Sequence, residues 1–124
     1  MKNKLVLSSL NHTWILDLDG TILVHNGYKD NEGERFVPGA KEFLLNLPDE
    51  DCIIFLTSRK KEYQKTTEEF LNEHGIRYNL IIYSMPYGER ILINDNKPSG
   101  LKMAYAYSID RNDFDIEVQY DETL

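Results

Sequence analysis

Two aspartates follow the first apolar run of the chain, in the order Asp17-Leu18-Asp19-Gly20-Thr21. Carboxylates at positions i and i+2 point the same way if the backbone stays extended, and Gly20 then allows the chain to turn away tightly. Like charges this close are costly unless a cation or a shared proton offsets them. A hard dication such as Mg²⁺ takes oxygen ligands of this kind together with a substrate phosphate. The spacing by itself therefore leaves two interpretations open: a metal-assisted site, or two solvated aspartates at a strand end.

Three short apolar runs end in polar residues, as strands do that are buried on both faces of a parallel sheet. Ligands of open α/β sheets bind at the carboxyl edge, where such polar residues come together. The runs are 14–16 before Asp17 and Asp19, 52–56 before Thr57, Ser58 and Arg59, and 90–93 before Asp95 and Asn96.

Helical patterns lie between these runs, and the resulting order of strands and helices predicts an α/β fold. We expect one domain over 1–124, with a single doubly wound, Rossmann-like parallel sheet flanked by helices. The Asn-Gly and Glu-Gly pairs after the first strand indicate a small flap hairpin. The acidic C-terminal stretch reads as a solvated edge or frayed tail. The ranges are 38–47 and 59–74 for helices, 76–83 and 103–109 for further strands, 24–36 for the flap and 110–124 for the tail.

The composition of the chain limits the kinds of partner that we expect. The chain has 124 residues and a formal net charge of −7, which leaves no surplus of Lys and Arg for a nucleic-acid backbone. Cys52 is the only cysteine, so no intrachain disulfide can form, which favours a reducing compartment. No apolar run has the length of a membrane span or of a signal peptide. We therefore expect a cytoplasmic protein without nucleic-acid or membrane partners.

The three motifs, taken together, resemble a known family. Asp17-Leu18-Asp19-Gly20-Thr21-Ile22 is similar to the first motif of the haloacid dehalogenase-like (HAD) phosphohydrolases. Leu56-Thr57-Ser58-Arg59 resembles their second motif, and the segment 91–97 resembles their fourth, an apolar strand that ends in a metal-binding acid. The motifs occur in the family's order and span about two-thirds of the chain.

The resemblance implies a role for each residue. Asp17 would attack phosphorus and form an aspartyl-phosphate, and Asp19 would act as general acid and then base. Thr57 would hydrogen-bond the phosphoryl group. The resemblance further implies a Mg²⁺ ion held by Asp17, Asp19 and Asp95. Substrate contacts are expected from Gly20, Ser58 and Arg59, whose guanidinium suits a phosphate or a sugar carboxylate.

The chain departs from the family pattern at two points. Asn96 follows Asp95, where the family usually has a second acid nearby, so metal binding is expected to be weaker. The third motif, a Lys or Arg that stabilises the phosphorylated aspartate, has three candidates. Lys97 is close to Asp95 in sequence and is preferred, whereas Arg90 lies upstream, where the motif often falls; Lys102 is a weaker option.

The intervals between motifs are too short for a cap domain. The flap, one helix and one strand fill the interval from Asp19 to Thr57, and a helix and two strands fill that from Thr57 to Asp95. The site is therefore expected to be open, unless a homo-oligomer covers it. The resemblance to capless members implies either a macromolecular phosphosubstrate or a small substrate under a lid that another subunit supplies. The favoured function is a capless, Mg²⁺-dependent phosphomonoesterase acting on a small phosphorylated metabolite, such as a sugar phosphate. The alternatives are a catalytically weak module that binds a phosphorylated ligand, a phosphotransferase and a phosphoacceptor domain.

Overall fold

The structure, a computed structural model, describes residues 3–124 and has mixed α/β architecture. The strands are β1 (Asn3–Leu7), β2 (Thr13–Asp17), β3 (Cys52–Leu56), β4 (Leu80–Ile82) and β5 (Ile116–Tyr120). The α-helices are α1 (Ala40–Leu45) and α2 (Gln64–Glu73), and single-turn 3-10 helices cover Gly27–Lys29 and Lys61–Tyr63. Within residues 3–124, no helix combines the length and the apolar character needed to cross a membrane.

The strands form two small parallel sheets. One has the order β2-β3-β4, and the other pairs β1 with β5. In the larger sheet Asp17 is in register with Leu56, and Leu56 with Ile82, so all three strands end at the same edge. The α/β class with parallel strands is confirmed, whereas a single doubly wound sheet is not.

Helices α1 and α2 connect the strands of the larger sheet and cover it. Each presents a narrow apolar face, since Ala40 and Leu44 are buried on α1, and Thr67 and Leu71 on α2. These residues are four apart and therefore lie one above the other on the helix surface. Helix α2 ends at Glu73, and Gly75 follows its C-cap residue His74 with a φ of +71°, a conformation that glycine adopts readily.

Both sheets contribute to one hydrophobic core. Leu5 and Leu7 of β1 belong to the same buried cluster as Ile53 and Phe55 of β3. Ile116 and Val118 of β5 are partly buried and pack against that cluster. The sheets are therefore separate in their hydrogen bonds but share their packing.

Two predicted strands are wrong. Residues 90–93 and 103–109 are within the described part of the chain, yet neither segment forms a strand. Ile91 and Ile93 are 83% and 90% exposed. An apolar run indicates that a segment is fit to be buried, but a strand also needs a neighbouring strand for its backbone hydrogen bonds. Apolar composition alone does not show whether such a neighbour is present.

The C-terminal stretch is more ordered than its acidic composition predicts. Rather than a frayed tail, it contains β5, whose Ile116 and Val118 face the core while Glu117 and Gln119 face solvent. Apolar and polar side chains alternate along 116–119, and this period of two is typical of a strand. The prediction from the acidic charge of the stretch did not take this alternation into account. The predicted strand 76–83 is present but shorter, as β4.

Candidate active site

The first carboxylate stands at the carboxyl end of β2, where the chain turns sharply. The carbonyl oxygen of the fully buried Leu18 accepts hydrogen bonds from the backbone N–H groups of Thr21, Ile22 and Leu23. These hydrogen bonds hold Leu18 in the core, so the residue between the two aspartates is fixed in place. Both aspartates line a cavity of about 380 Å³. The two predicted carboxylates therefore line the same cavity.

Asp17 is held by two donors. The Thr21 hydroxyl donates to Oδ2 at 3.1 Å, and a guanidinium nitrogen of Arg90 donates to Oδ1 at 2.9 Å. The side chains of Asp17 and Arg90 are 33% and 37% exposed, so this ion pair remains in contact with water. Arg90 therefore reaches Asp17, the carboxylate for which the family resemblance implies the role of nucleophile.

Asp19 is held by a buried guanidinium. Arg59 donates to both of its carboxylate oxygens, from Nε at 3.0 Å and from Nη2 at 2.9 Å. The same guanidinium donates to Glu34 at 2.7 Å and to the Thr67 hydroxyl at 2.9 Å, and it lies 4.0 Å from the ring centre of Tyr28. Its side chain is 1% exposed. Arg59 thus joins four parts of the chain around Asp19.

The charge on Arg59 is strongly stabilised. Burial lowers the pKa of a guanidinium, but the hydrogen bonds and charges of Glu34 and Asp19 outweigh it, and the pKa of Arg59 is raised above its ordinary value. Arg59 is therefore a permanent cation between two carboxylates.

The flap carries Glu34 to this cluster. It begins and ends as a short hairpin, in which Val24 N–H donates to the carbonyl of Arg35 and Val37 N–H to that of Ile22. Nearer its tip, Arg35 donates to Asp30, and this bond lowers the pKa of the Asp30 carboxyl. The flap is therefore an ordered loop that contributes one wall of the cavity.

Aromatic and basic side chains complete the cavity walls. The Tyr28 and Tyr63 rings meet edge-to-face with centres 4.8 Å apart. The Lys29 ammonium lies 5.3 Å from the ring centre of Tyr28, and its pKa is raised chiefly by the neighbouring Tyr28 hydroxyl. The Lys60 ammonium lies 5.6 Å from the ring centre of Tyr87. The full lining is Asp17, Asp19, His25, Asn26, Tyr28, Lys29, Ser58, Arg59, Lys60, Glu62, Tyr63 and Tyr87.

The structure places the other predicted site residues at differing distances from this cavity. Ser58 lines it, whereas Thr57 is only 1% exposed and its hydroxyl oxygen accepts a hydrogen bond from Arg59 N–H. Lys97 and Asp95 are exposed and do not line the cavity. The backbone of Lys97 forms a turn with Gly100 and Leu101. Asp17, Asp19, Ser58 and Arg59 are thus brought together, and Asp95 and Lys97 are not.

Comparison with protein-family models, curated proteins and solved structures gave no match. The chemistry of the cavity is therefore inferred from its own residues.

Magnesium fits two of the three predicted ligands. Asp17 and Asp19 supply hard oxygen donors to the lining of the cavity. Among residues 3–124, no three acidic, His or Cys side chains are grouped closely enough to hold a metal ion by themselves. Mg²⁺ commonly uses only one or two carboxylates, with water and substrate phosphate as the remaining ligands. The donor set therefore suits an ion that protein and substrate hold jointly.

Sequence reasoning missed several residues of the site. Glu34 and Tyr28 lie in the flap, and Tyr63 and Lys60 follow the second motif, with no pattern that distinguishes them from other surface residues. The Asn26-Gly27 pair was a usable signal, because it marks the turn that places Tyr28 and Lys29. Contacts between the flap and Arg59 span many residues and leave no local pattern.

Gly20 adopts a backbone conformation that other residues resist. Its φ is +87°, and a Cβ placed there would lie 3.1 Å from Cγ of Arg111. Gly33 has a similar φ of +80° but open space around it. We expect Gly33→Ala to lower the free energy of unfolding by about 1–2 kcal/mol through backbone strain. Gly20→Ala should cost about 1 kcal/mol more, because it adds overpacking.

Urea unfolding of the two glycine variants, followed by circular dichroism, measures this difference. A Gly20→Ala variant no less stable than Gly33→Ala would show that the space beside Arg111 does not limit residue 20.

Proposed function

We propose that this protein is a Mg²⁺-dependent phosphomonoesterase that acts on a small phosphorylated metabolite through an aspartyl-phosphate on Asp17. The observation that carries the proposal is that Asp17 and Asp19 line one cavity, with a guanidinium group bonded to each. Cavities that hold small ligands have volumes of about 300–1,000 Å³, and the cavity here, about 380 Å³, falls in that range.

The proposed reaction has two steps. A carboxylate oxygen of Asp17 forms a bond to phosphorus while the ester P–O bond breaks, and the leaving alkoxide takes a proton from Asp19. Water then attacks the aspartyl-phosphate and loses a proton to Asp19, which releases inorganic phosphate and restores Asp17. Dividing the hydrolysis in this way replaces one difficult step by two easier ones.

Arg59 and Arg90 have different parts in this proposal. Arg59 positions Asp19, whose oxygens must exchange one Arg59 hydrogen bond for the leaving group during proton transfer. Arg90, rather than Lys97, supplies the cation beside Asp17 that stabilises its phosphorylated form. Asp17 and the backbone carbonyl of Asp19 would hold the Mg²⁺ ion, which when bound would offset negative charge on the phosphate, and the Asp19 carboxyl would keep its role in proton transfer. Ser58, at the cavity wall, is placed to hydrogen-bond the phosphoryl group.

The finer description of the fold belongs to the same proposal. We infer that the two small sheets are parts of one doubly wound arrangement. Support comes from the parallel direction of every strand pair and from the core that both sheets share.

A second candidate function is a module that binds a phosphorylated ligand with little turnover. It is favoured by the ion pairs that already occupy Asp17 and Asp19 and by the position of Asp95 outside the cavity. Ligand affinity of such a module would not depend on Mg²⁺. Calorimetric titration with inorganic phosphate, in Mg²⁺ and in chelator, separates the two candidates.

The enzyme proposal is tested by phosphate release. Purified protein is incubated with Mg²⁺ and a panel of phosphorylated sugars and aryl phosphates, and the same preparation is assayed in excess chelator. We expect phosphate release from part of the panel with Mg²⁺ and its loss in chelator. Release by an Asp17→Asn preparation at the wild-type rate would identify a contaminating phosphatase and refute the proposal.

A further inference from the structure

The lining of the cavity includes residues that phosphate chemistry does not explain. Besides Asp17 and Asp19, three tyrosines and two lysines line the cavity. None of these tyrosines and lysines has a part in the proposed hydrolysis of the phosphomonoester. They therefore bear on the part of the substrate that remains after phosphate leaves.

Lys29 is held at a defined place on one wall. Its ammonium lies 5.3 Å from the ring centre of Tyr28 and 6.0 Å from that of Tyr63. Tyr28 is itself fixed, because the buried guanidinium of Arg59 lies 4.0 Å from its ring centre. A surface lysine normally samples many rotamers, and these contacts narrow its range.

Lys60 occupies the other wall in a similar manner, 5.6 Å from the ring centre of Tyr87. Within residues 3–124, neither lysine forms an ion pair with a carboxylate. The one unpaired acid among the wall residues is Glu62, which is exposed. In a chain of net charge −7, these two lysines and Arg59 balance the three acids Asp17, Asp19 and Glu62 of the cavity lining, so the cavity is less negative than the chain as a whole.

Arg59 cannot take this role, although its residue type suits it. Its donors are engaged by Asp19, Glu34 and Thr67, and the side chain is 1% exposed. A second anionic group in the cavity would therefore contact the ammonium groups of Lys29 and Lys60 rather than the Arg59 guanidinium.

We propose that the cavity takes a substrate with a second anionic group, a carboxylate or a second phosphate, which Lys29 and Lys60 bind. The sugar-like body of the substrate would lie against Tyr28, Tyr63 and Tyr87. This inference rests on the proposed function, since it names the class of phosphomonoester that the same cavity selects.

Three hexose derivatives test the proposal: glucose 6-phosphate, 6-phosphogluconate, which adds a carboxylate, and fructose 1,6-bisphosphate, which adds a phosphate. Binding to the Asp17→Asn protein is measured by calorimetry in Mg²⁺, so that the result does not depend on turnover. An exposed charge pair contributes about 1 kcal/mol, or roughly fivefold in affinity. Because two lysines are available, we expect at least one of the two ligands that carry a second anionic group to bind at least about 10-fold more tightly than glucose 6-phosphate.

Substitution of the lysines locates the preference. Lys29→Gln and Lys60→Gln are each combined with Asp17→Asn. Each lysine substitution is expected to lower the affinity for the preferred ligand with two anionic groups by roughly fivefold, and the affinity for glucose 6-phosphate by less than twofold. Lys61→Gln is the matched control, because Lys61 is an exposed neighbour that does not line the cavity. Which ligand is preferred distinguishes a carboxylate from a phosphate.

Two results would overturn the inference: equal binding of all three ligands, or a preference that survives both lysine substitutions. Failure of the enzyme proposal is a different outcome. If wild-type protein hydrolyses no member of the panel but the lysine-dependent preference remains, the inference holds and the phosphatase assignment is wrong.

Discussion

Asp17→Asn is expected to lower the turnover number for the best phosphorylated substrate by at least about 10³-fold, because an amide cannot replace the attacking carboxylate. The fold should tolerate the change. The Asp17 side chain is 33% exposed, and its bonds to Thr21 and Arg90 lie at the cavity surface. Phosphate release measures the first expectation, and thermal unfolding measures the second.

Asp95→Asn is the informative control for this prediction. Asp95 is exposed and outside the cavity. If the structure describes the working site, the variant should keep activity within about threefold of wild type and the same dependence on Mg²⁺. A loss as large as that of Asp17→Asn would instead make Asp95 a metal ligand that reaches the site during catalysis. An Asp17→Asn protein that keeps substantial activity would contradict the nucleophile assignment.

Arg59→Met should be the most destabilising single substitution among the site residues. It removes the charge but keeps an unbranched side chain, and it leaves Asp19 and Glu34 partly buried without their common cation. Removing one partner of a buried pair costs about 3–5 kcal/mol. Loss of the Thr67 hydrogen bond and of the contact with Tyr28 adds to that cost. Urea unfolding followed by circular dichroism gives the change in free energy.

The same substitution at Arg90 provides the comparison. Arg90 pairs with Asp17, but both side chains are about one-third exposed, and such pairs contribute about 0–1 kcal/mol. We therefore expect Arg90→Met to unfold at nearly the wild-type urea concentration. If Arg59→Met and Arg90→Met had the same free energy of unfolding, the hydrogen bonds of Arg59 to Asp19 and Glu34 would not stabilise the fold. A third variant, Glu34→Gln, should fall between the two, because Asp19 keeps its bonds to Arg59.

Sequence patterns located the larger sheet well. The runs before Asp17 and Thr57 became β2 and β3, and the helical spacing of Thr67 and Leu71 became α2. These elements depend on local signals: apolar content, side-chain periodicity and glycine at a helix end. Such signals are sufficient to predict a strand that is buried on both faces of a sheet or a helix that is buried along one face.

The remaining elements depend on distant partners. Residues 90–93 have the composition of β3 but no neighbouring strand, whereas β5 finds one in β1, far away in the chain. At the site, the convergence of Asp17 and Asp19 follows from their spacing. The attachment of Arg59 to Glu34, and of Arg90 to Asp17, required knowledge of how the flap and the segment after β4 are placed. Those contacts leave no trace in local composition.

The pairing of β1 with β5 has a consequence for the order of folding. During synthesis, β2, β3 and β4 emerge long before β5, and they can form their sheet from segments that are close in the chain. Strand β1 has to wait, with Leu5 and Leu7 exposed, until the last strand is made. Closing so long a loop is slow, because its entropy is lost before the contacts form. We therefore expect the hydrogen bonds between β1 and β5 to form last.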